Sequence, residues 1–126
     1  MIIDKLAYYK TSAGSESLGG YADGNSEYMR FRAAGAHDGH RKFYLNIFGV
    51  AQLSGGASPK ITINLTSGED GSTFGQTDYT TGAIDIPDGI KRVPLPEGID
   101  EYSRIEWTVS GAPTGGGTFK AFISAE

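Results

Sequence analysis

Apolar and polar side chains alternate with period two along much of this chain, most clearly in its last third. Over residues 102–110, Ile105, Trp107 and Val109 share one parity, while Arg104, Glu106, Thr108 and Ser110 share the other. After a glycine-rich stretch at 111–117 the alternation resumes over 118–124. In an extended strand such a pattern places successive side chains on opposite faces. Two strands joined by a loop are therefore expected, with Ile105, Trp107, Val109, Phe119 and Ile123 in the core. Phe122 falls on the polar side, between Lys120 and Ser124 in parity, and is assigned to docking. A chain that stops on this second strand is expected to be a compact sheet protein without an appended tail.

The same reading extends upstream. Residues 2–9 form a first extended segment, with Ile2, Leu6 and Tyr8 on one parity and Ile3 and Tyr9 on the other. Residues 11–24 read as a polar connection. Residues 28–32 alternate, with Met29 and Phe31 opposite Arg30 and Arg32. The stretch 43–53 is the most apolar: Phe43, Leu45, Ile47, Ala51 and Leu53 share one parity, and Tyr44, Phe48 and Val50 share the other. A strand apolar on both faces is either central or covers an interface. Gly49 within it predicts a bulge or a close backbone approach. Residues 60–66 alternate cleanly, with Ile61, Ile63 and Leu65 inward.

Residues 67–82 read as a polar loop. Short strands follow at 83–86 and 90–95, separated by the turn Pro87-Asp88-Gly89. Pro94 and Pro96 cannot donate to a ladder, which puts their strand at an edge. About eight short antiparallel strands result, with no amphipathic helix. The expected fold is all-β: a jelly-roll-like β-sandwich in one domain over residues 1–126, with residues 1–10 as an N-terminal docking segment. A closed barrel is the runner-up.

Composition narrows the function. A chain of 126 residues builds one core. Its 19 glycines lie between the apolar runs, as turns of an all-β domain require. With 11 basic and 15 acidic residues, the net charge of −4 argues against nucleic acid as a partner. Cysteine is absent, so neither disulfides nor thiolate metal sites are available. No apolar run is long enough for a membrane span, and the first residues lack a signal-peptide segment, so no membrane partner is expected and synthesis is expected in the cytoplasm.

No constellation points to catalysis. His37-Asp38-Gly39-His40 brings both histidines beside a carboxylate, but two histidines in one turn lack the four protein ligands of a structural zinc site. Asp and Glu residues in glycine-rich loops read as turn formers. There is no G-x-S-x-G elbow and no phosphate-binding loop. No catalytic residue, metal or cofactor is assigned, and the protein is expected not to be an enzyme. Aromatic residues on polar parity, by contrast, fit an interface.

The two ends of the chain carry a family resemblance. The opening Met1-Ile2-Ile3-Asp4-Lys5-Leu6 resembles the start of the Bbp16-like family of small bacteriophage capsid cement proteins. So do the closing blocks Pro96-Glu97-Gly98, residues 102–109 and residues 117–123. The middle is similar in plan, with an apolar strand at 44–50 and an alternating one at 61–65. The resemblance implies a jelly-roll protein on the exterior of a tailed-phage capsid, made in the host cytoplasm. It implies a dimer that staples contacts between major capsid subunits and has no catalytic residues. The interface is assigned to Ile2, Ile3, Leu6, Tyr8, Tyr9, Tyr44, Phe48, Val50 and Phe122. The alternative is a carbohydrate-binding β-sandwich using exposed tyrosines, Phe122 and acidic loops.

Overall fold

A computed structural model describes residues 8–30, 43–96 and 98–125. Nine strands and no helix occur among them: β1 (Leu18–Gly19), β2 (Gly24–Asn25), β3 (Met29–Arg30), β4 (Phe43–Ala51), β5 (Lys60–Gly68), β6 (Gln76–Ile84), β7 (Ile90–Pro94), β8 (Tyr102–Ser110) and β9 (Thr118–Ala125). Ile2, Ile3, Leu6, Phe31 and the turn at 37–40 lie outside the described residues.

All strand pairs are antiparallel and form two sheets. The first has the order β1-β9-β4-β7. The second has the order β2-β8-β5-β6, with β3 also on β8. β5 lines the whole of β8, from Lys60↔Ser110 to Gly68↔Tyr102. β2 and β3 therefore share the other edge of β8, as one interrupted strand. Counted that way, the first strand pairs with the last, the second with the seventh, the third with the sixth and the fourth with the fifth. Only the β5–β6 hairpin stays within one sheet, while the other connections cross between sheets. This is a jelly roll, as the alternation leads one to expect.

The core lies between the sheets. Leu45, Ile47, Phe119, Ala121 and Ile123 enter it from the first sheet, and Ile61, Ile63, Leu65, Ile105 and Trp107 from the second. Val109 is half-buried at its margin. Parity fixes these positions because one face of each sheet packs against the other sheet. β8 and β9 nevertheless do not pair with each other. They belong to opposite sheets and meet across the core, where the Trp107 and Phe119 rings pack edge-on with centroids 5.7 Å apart.

One expectation fails at 67–82. Most of this segment is strand: β5 runs on to Gly68, and β6 begins at Gln76. Threonine's branched Cβ suits an extended backbone, and an edge strand open to solvent needs no apolar alternation.

Gly49 meets its expectation twice over. The β4–β9 register shifts between Gly49 and Ala51, which marks a bulge. A Cβ at Gly49 would collide with the Pro87 carbonyl oxygen. The Gly49 N–H donates to the Gly89 carbonyl at 3.0 Å, which seats the 87–89 turn against β4. Gly89 itself holds φ at +90°, a conformation suited to glycine. Gly49→Ala is expected to cost about 2–3 kcal/mol through this overpacking, lowering the melting temperature by roughly 8–12 °C. A calorimetric change of less than about 2 °C would mean that the turn is not seated there.

Candidate interaction surfaces

The outer face of the first sheet gathers the even-numbered side chains of β4, β7 and β9. In register, Tyr44, Asn46 and Phe48 lie opposite Ser124, Phe122 and Lys120 on one side. On the other side they face Pro94, Arg92 and Ile90. The chain covers one end of this face itself. Tyr8 bridges to Phe122 along the open side of β9, and their ring centroids lie 4.8 Å apart. The Arg92 guanidinium lies 3.8 Å from the Tyr44 ring centroid. Asn46 is buried between these groups, and its amide donates to Ser124 Oγ at 2.8 Å, so its burial leaves that donor paired.

Two sequence assignments change here. Phe122 does face outward, but it is only 5% exposed because Tyr8 lies over it. Any docking contact at this point falls to Tyr8. Tyr9 has the opposite parity, enters the core and is 1% exposed, so it offers a partner nothing. Its backbone N–H donates to the Ala121 carbonyl at 2.9 Å. Its hydroxyl crosses the sandwich to within 2.8 Å of Ser103 Oγ on β8. Burial pushes its phenol above the ordinary tyrosine range, so it stays neutral.

The other end of the same face is open. Phe48 is 40% exposed and Ile90 59%, and the two are register partners across β4 and β7. Val50, the unpaired residue of the bulge, is 53% exposed. Three large apolar side chains thus stand in solvent at one corner of the sheet. Of the residues assigned to an interface, Tyr8, Tyr44, Phe48 and Val50 remain available on or beside this face. Ile90 joins them. Its short strand gave no alternation long enough to reveal which way it points.

The sheet edges are less suited to a partner. β7 carries Lys91, Arg92 and Pro94, and proline has no N–H to give. The β5–β6 ladder is irregular twice, between Thr62 and Asn64 and between Leu65 and Thr66, so the free edge of β6 is distorted. Lysine, proline and bulges all discourage strand addition. The β6 and β7 edges are therefore poor templates for an added strand.

The second sheet's outer face carries a different constellation. Tyr102, Arg104 and Glu106 project from β8. Tyr28 and Arg30 come from the β2–β3 edge, and Phe74 from the 69–75 hairpin loop. Tyr28 packs edge-on against Tyr102 with centroids 5.2 Å apart, and stacks with Phe74 at 6.4 Å. Arg30 lies 5.2 Å from the Tyr102 ring and Arg104 4.4 Å from the Phe74 ring. Arg104 Nε and Nη2 both reach Glu106 Oε2 at 3.0 Å. That oxygen also accepts from Thr66 Oγ1 at 3.0 Å. Arg30 pairs with Glu101 at 3.4 Å.

Two glycines let the loop fold onto the sheet. A Cβ at Gly68 would strike the Thr73 carbonyl, and one at Gly71 would press on the Tyr28 ring. Asp70 sets the loop's curvature: its Oδ1 accepts the N–H groups of Ser72 (2.9 Å) and Thr73 (2.8 Å) and the Ser72 hydroxyl (3.1 Å). These bonds hold its carboxyl below the ordinary value, the backbone donors first. A depressed carboxyl contributes stability above its unfolded value, which is lost as pH falls through the folded one. The loop is thus expected to stay closed at neutral pH and to open only in acid. The Ser72 and Thr73 amide resonances should titrate with a midpoint below 3.8, the ordinary aspartate value. A midpoint at or above it would contradict the turn.

Sequence reasoning missed this cluster because Phe74 lies in a loop without periodicity. The parity of Tyr28 and Tyr102 was the available signal. Among the described residues, no group of three or more His, Asp or Glu side chains could hold a metal ion. The chain matches no known protein family and no curated protein sequence.

Proposed function

We propose that this protein is a non-enzymatic capsid cement protein. It binds the outer surface of a tailed-phage capsid and ties neighbouring major capsid subunits together. The observation that carries the reading is the open apolar corner of Phe48, Val50 and Ile90, on a sandwich whose β6 and β7 edges discourage strand addition. Contiguous exposed apolar side chains mark a protein contact. The resemblance at the two ends of the chain supplies the identity of the partner. Tyr8 and Tyr44 extend the contact, and the apolar residues Ile2, Ile3 and Leu6 just before Tyr8 in sequence are proposed to dock with them. A second copy of the chain is proposed to complete a staple across two subunits.

The energetics suit such a role. A protein that binds the assembled shell but not the dissociated subunits shifts the equilibrium toward the shell. When two linked copies contact adjacent subunits, the second contact becomes intramolecular, so modest contacts suffice. The net charge of −4 favours solubility before assembly. The test compares capsids made with and without this protein after heating or osmotic shock. Capsids that contain it are expected to survive more severe treatment. Equal survival would contradict cementing.

A further inference from the structure

We infer that the outer face of the second sheet holds a binding site for neutral glycans, centred on Tyr28. The site lies on the opposite sheet from the apolar corner and does not depend on the capsid reading.

A pyranose ring presents an apolar C–H face and a rim of hydroxyls, so its receptor needs an exposed aromatic plane with polar groups beside it. Tyr28 is 50% exposed, although Phe74 and Tyr102 hold its ring in place. A ring fixed by two others binds with little loss of side-chain freedom. Arg30 and Arg104 lie over the two flanking rings, Tyr102 and Phe74, and are paired with Glu101 and Glu106. A shallow groove lined by Tyr8, Lys10, Thr11, Ser12, Glu27 and Tyr28 opens next to the ring, running from it toward the N-terminal segment, with room for a second sugar unit.

Charge decides the ligand class. Lys10, Arg30 and Arg104 face Glu27, Glu101 and Glu106, and the 69–75 loop adds Glu69 and Asp70, so the site carries no net positive charge. An anionic ligand such as nucleic acid therefore gains no field here. Paired arginine and glutamate groups still offer donors and acceptors side by side, which is what vicinal hydroxyls require. If the first sheet faces a capsid, this second face points outward, toward the surroundings of the particle.

The test is affinity electrophoresis of the full chain through gels containing α-glucan, β-glucan, galactan or mannan, at low and at high salt. At least one polymer is expected to retard the chain equally at both salt levels. Titration with oligosaccharides of that polymer should shift the ring resonances of Tyr28 and Tyr102. Tyr28→Ala should weaken binding by about tenfold or more, comparable to losing one aromatic stacking platform. Tyr28→Phe, which keeps the ring, should retain it. Phe48→Ser, on the other sheet, should leave it unchanged. Thermal melts establish that each variant is folded. Retardation by none of the four polymers would overturn the inference. So would binding that disappears at high salt, or that survives Tyr28→Ala in a folded protein.

Discussion

Replacing Trp107 by alanine is expected to cost about 3–5 kcal/mol, the usual range for deleting a buried large aromatic side chain. Four features place Trp107 in that range. Its indole is only 6% exposed. It packs edge-on against Phe119, so it joins the two sheets at the centre of the molecule. Its Nε1–H donates to the Ala22 carbonyl at 3.1 Å, which ties the segment before β2 to the core. Gly24, its register partner on β2, fits the indole so closely that an added Cβ would come within 2.8 Å of the ring. Alanine would leave a cavity, and the edge strand above it would lose its anchor. A typical domain is stable by only about 5–15 kcal/mol, so the melting temperature should fall by roughly 12–20 °C. A loss below about 1 kcal/mol in chemical denaturation would show that the indole does not join the sheets.

The second large effect concerns association. The double substitution Phe48→Ser and Ile90→Ser is expected to leave the fold intact, because both side chains stand in solvent. Surface changes of this kind typically alter stability by less than about 0.5 kcal/mol each. Capsid affinity should fall much further. An apolar anchor at the centre of an interface contributes roughly 2 kcal/mol, so losing two such anchors predicts a drop of several hundredfold in the association constant. Titration of labelled protein against capsids measures it. A drop of less than about threefold would place the contact elsewhere.

Much of the fold could be read from alternation because its long strands bury one face. β5 and β8 place Ile61, Ile63, Leu65, Ile105 and Trp107 inward in the parity that the sequence displays. Gly49 and Pro94 were legible because a missing Cβ and a missing N–H each have a local structural meaning. β6 was not legible: its strand character comes from pairing with β5, and Gln76, Thr77 and Thr80 face solvent. Pairing order was hidden for a similar reason, since parity assigns a side chain to a face but names no neighbour. Thus β8 and β9, adjacent in sequence, lie in opposite sheets.

The interaction surface was partly legible. Phe48 and Val50 betrayed themselves as apolar residues on the wrong parity of β4. Phe122 gave the same signal and proved covered, because its cover comes from Tyr8, far away in sequence. Tyr8 and Tyr9 are adjacent and chemically identical, so nothing local reveals which of them enters the core. In the core, the Tyr9 hydroxyl finds a partner in Ser103 on the opposite sheet.

Imaging capsids saturated with the purified chain by cryo-electron microscopy tests the central claim most directly. The account predicts a jelly-roll density on the outer shell, with Phe48 and Ile90 against capsid subunits and Tyr28 facing solvent. Bare capsids, or a chain seated through the outer face of its second sheet, would contradict it.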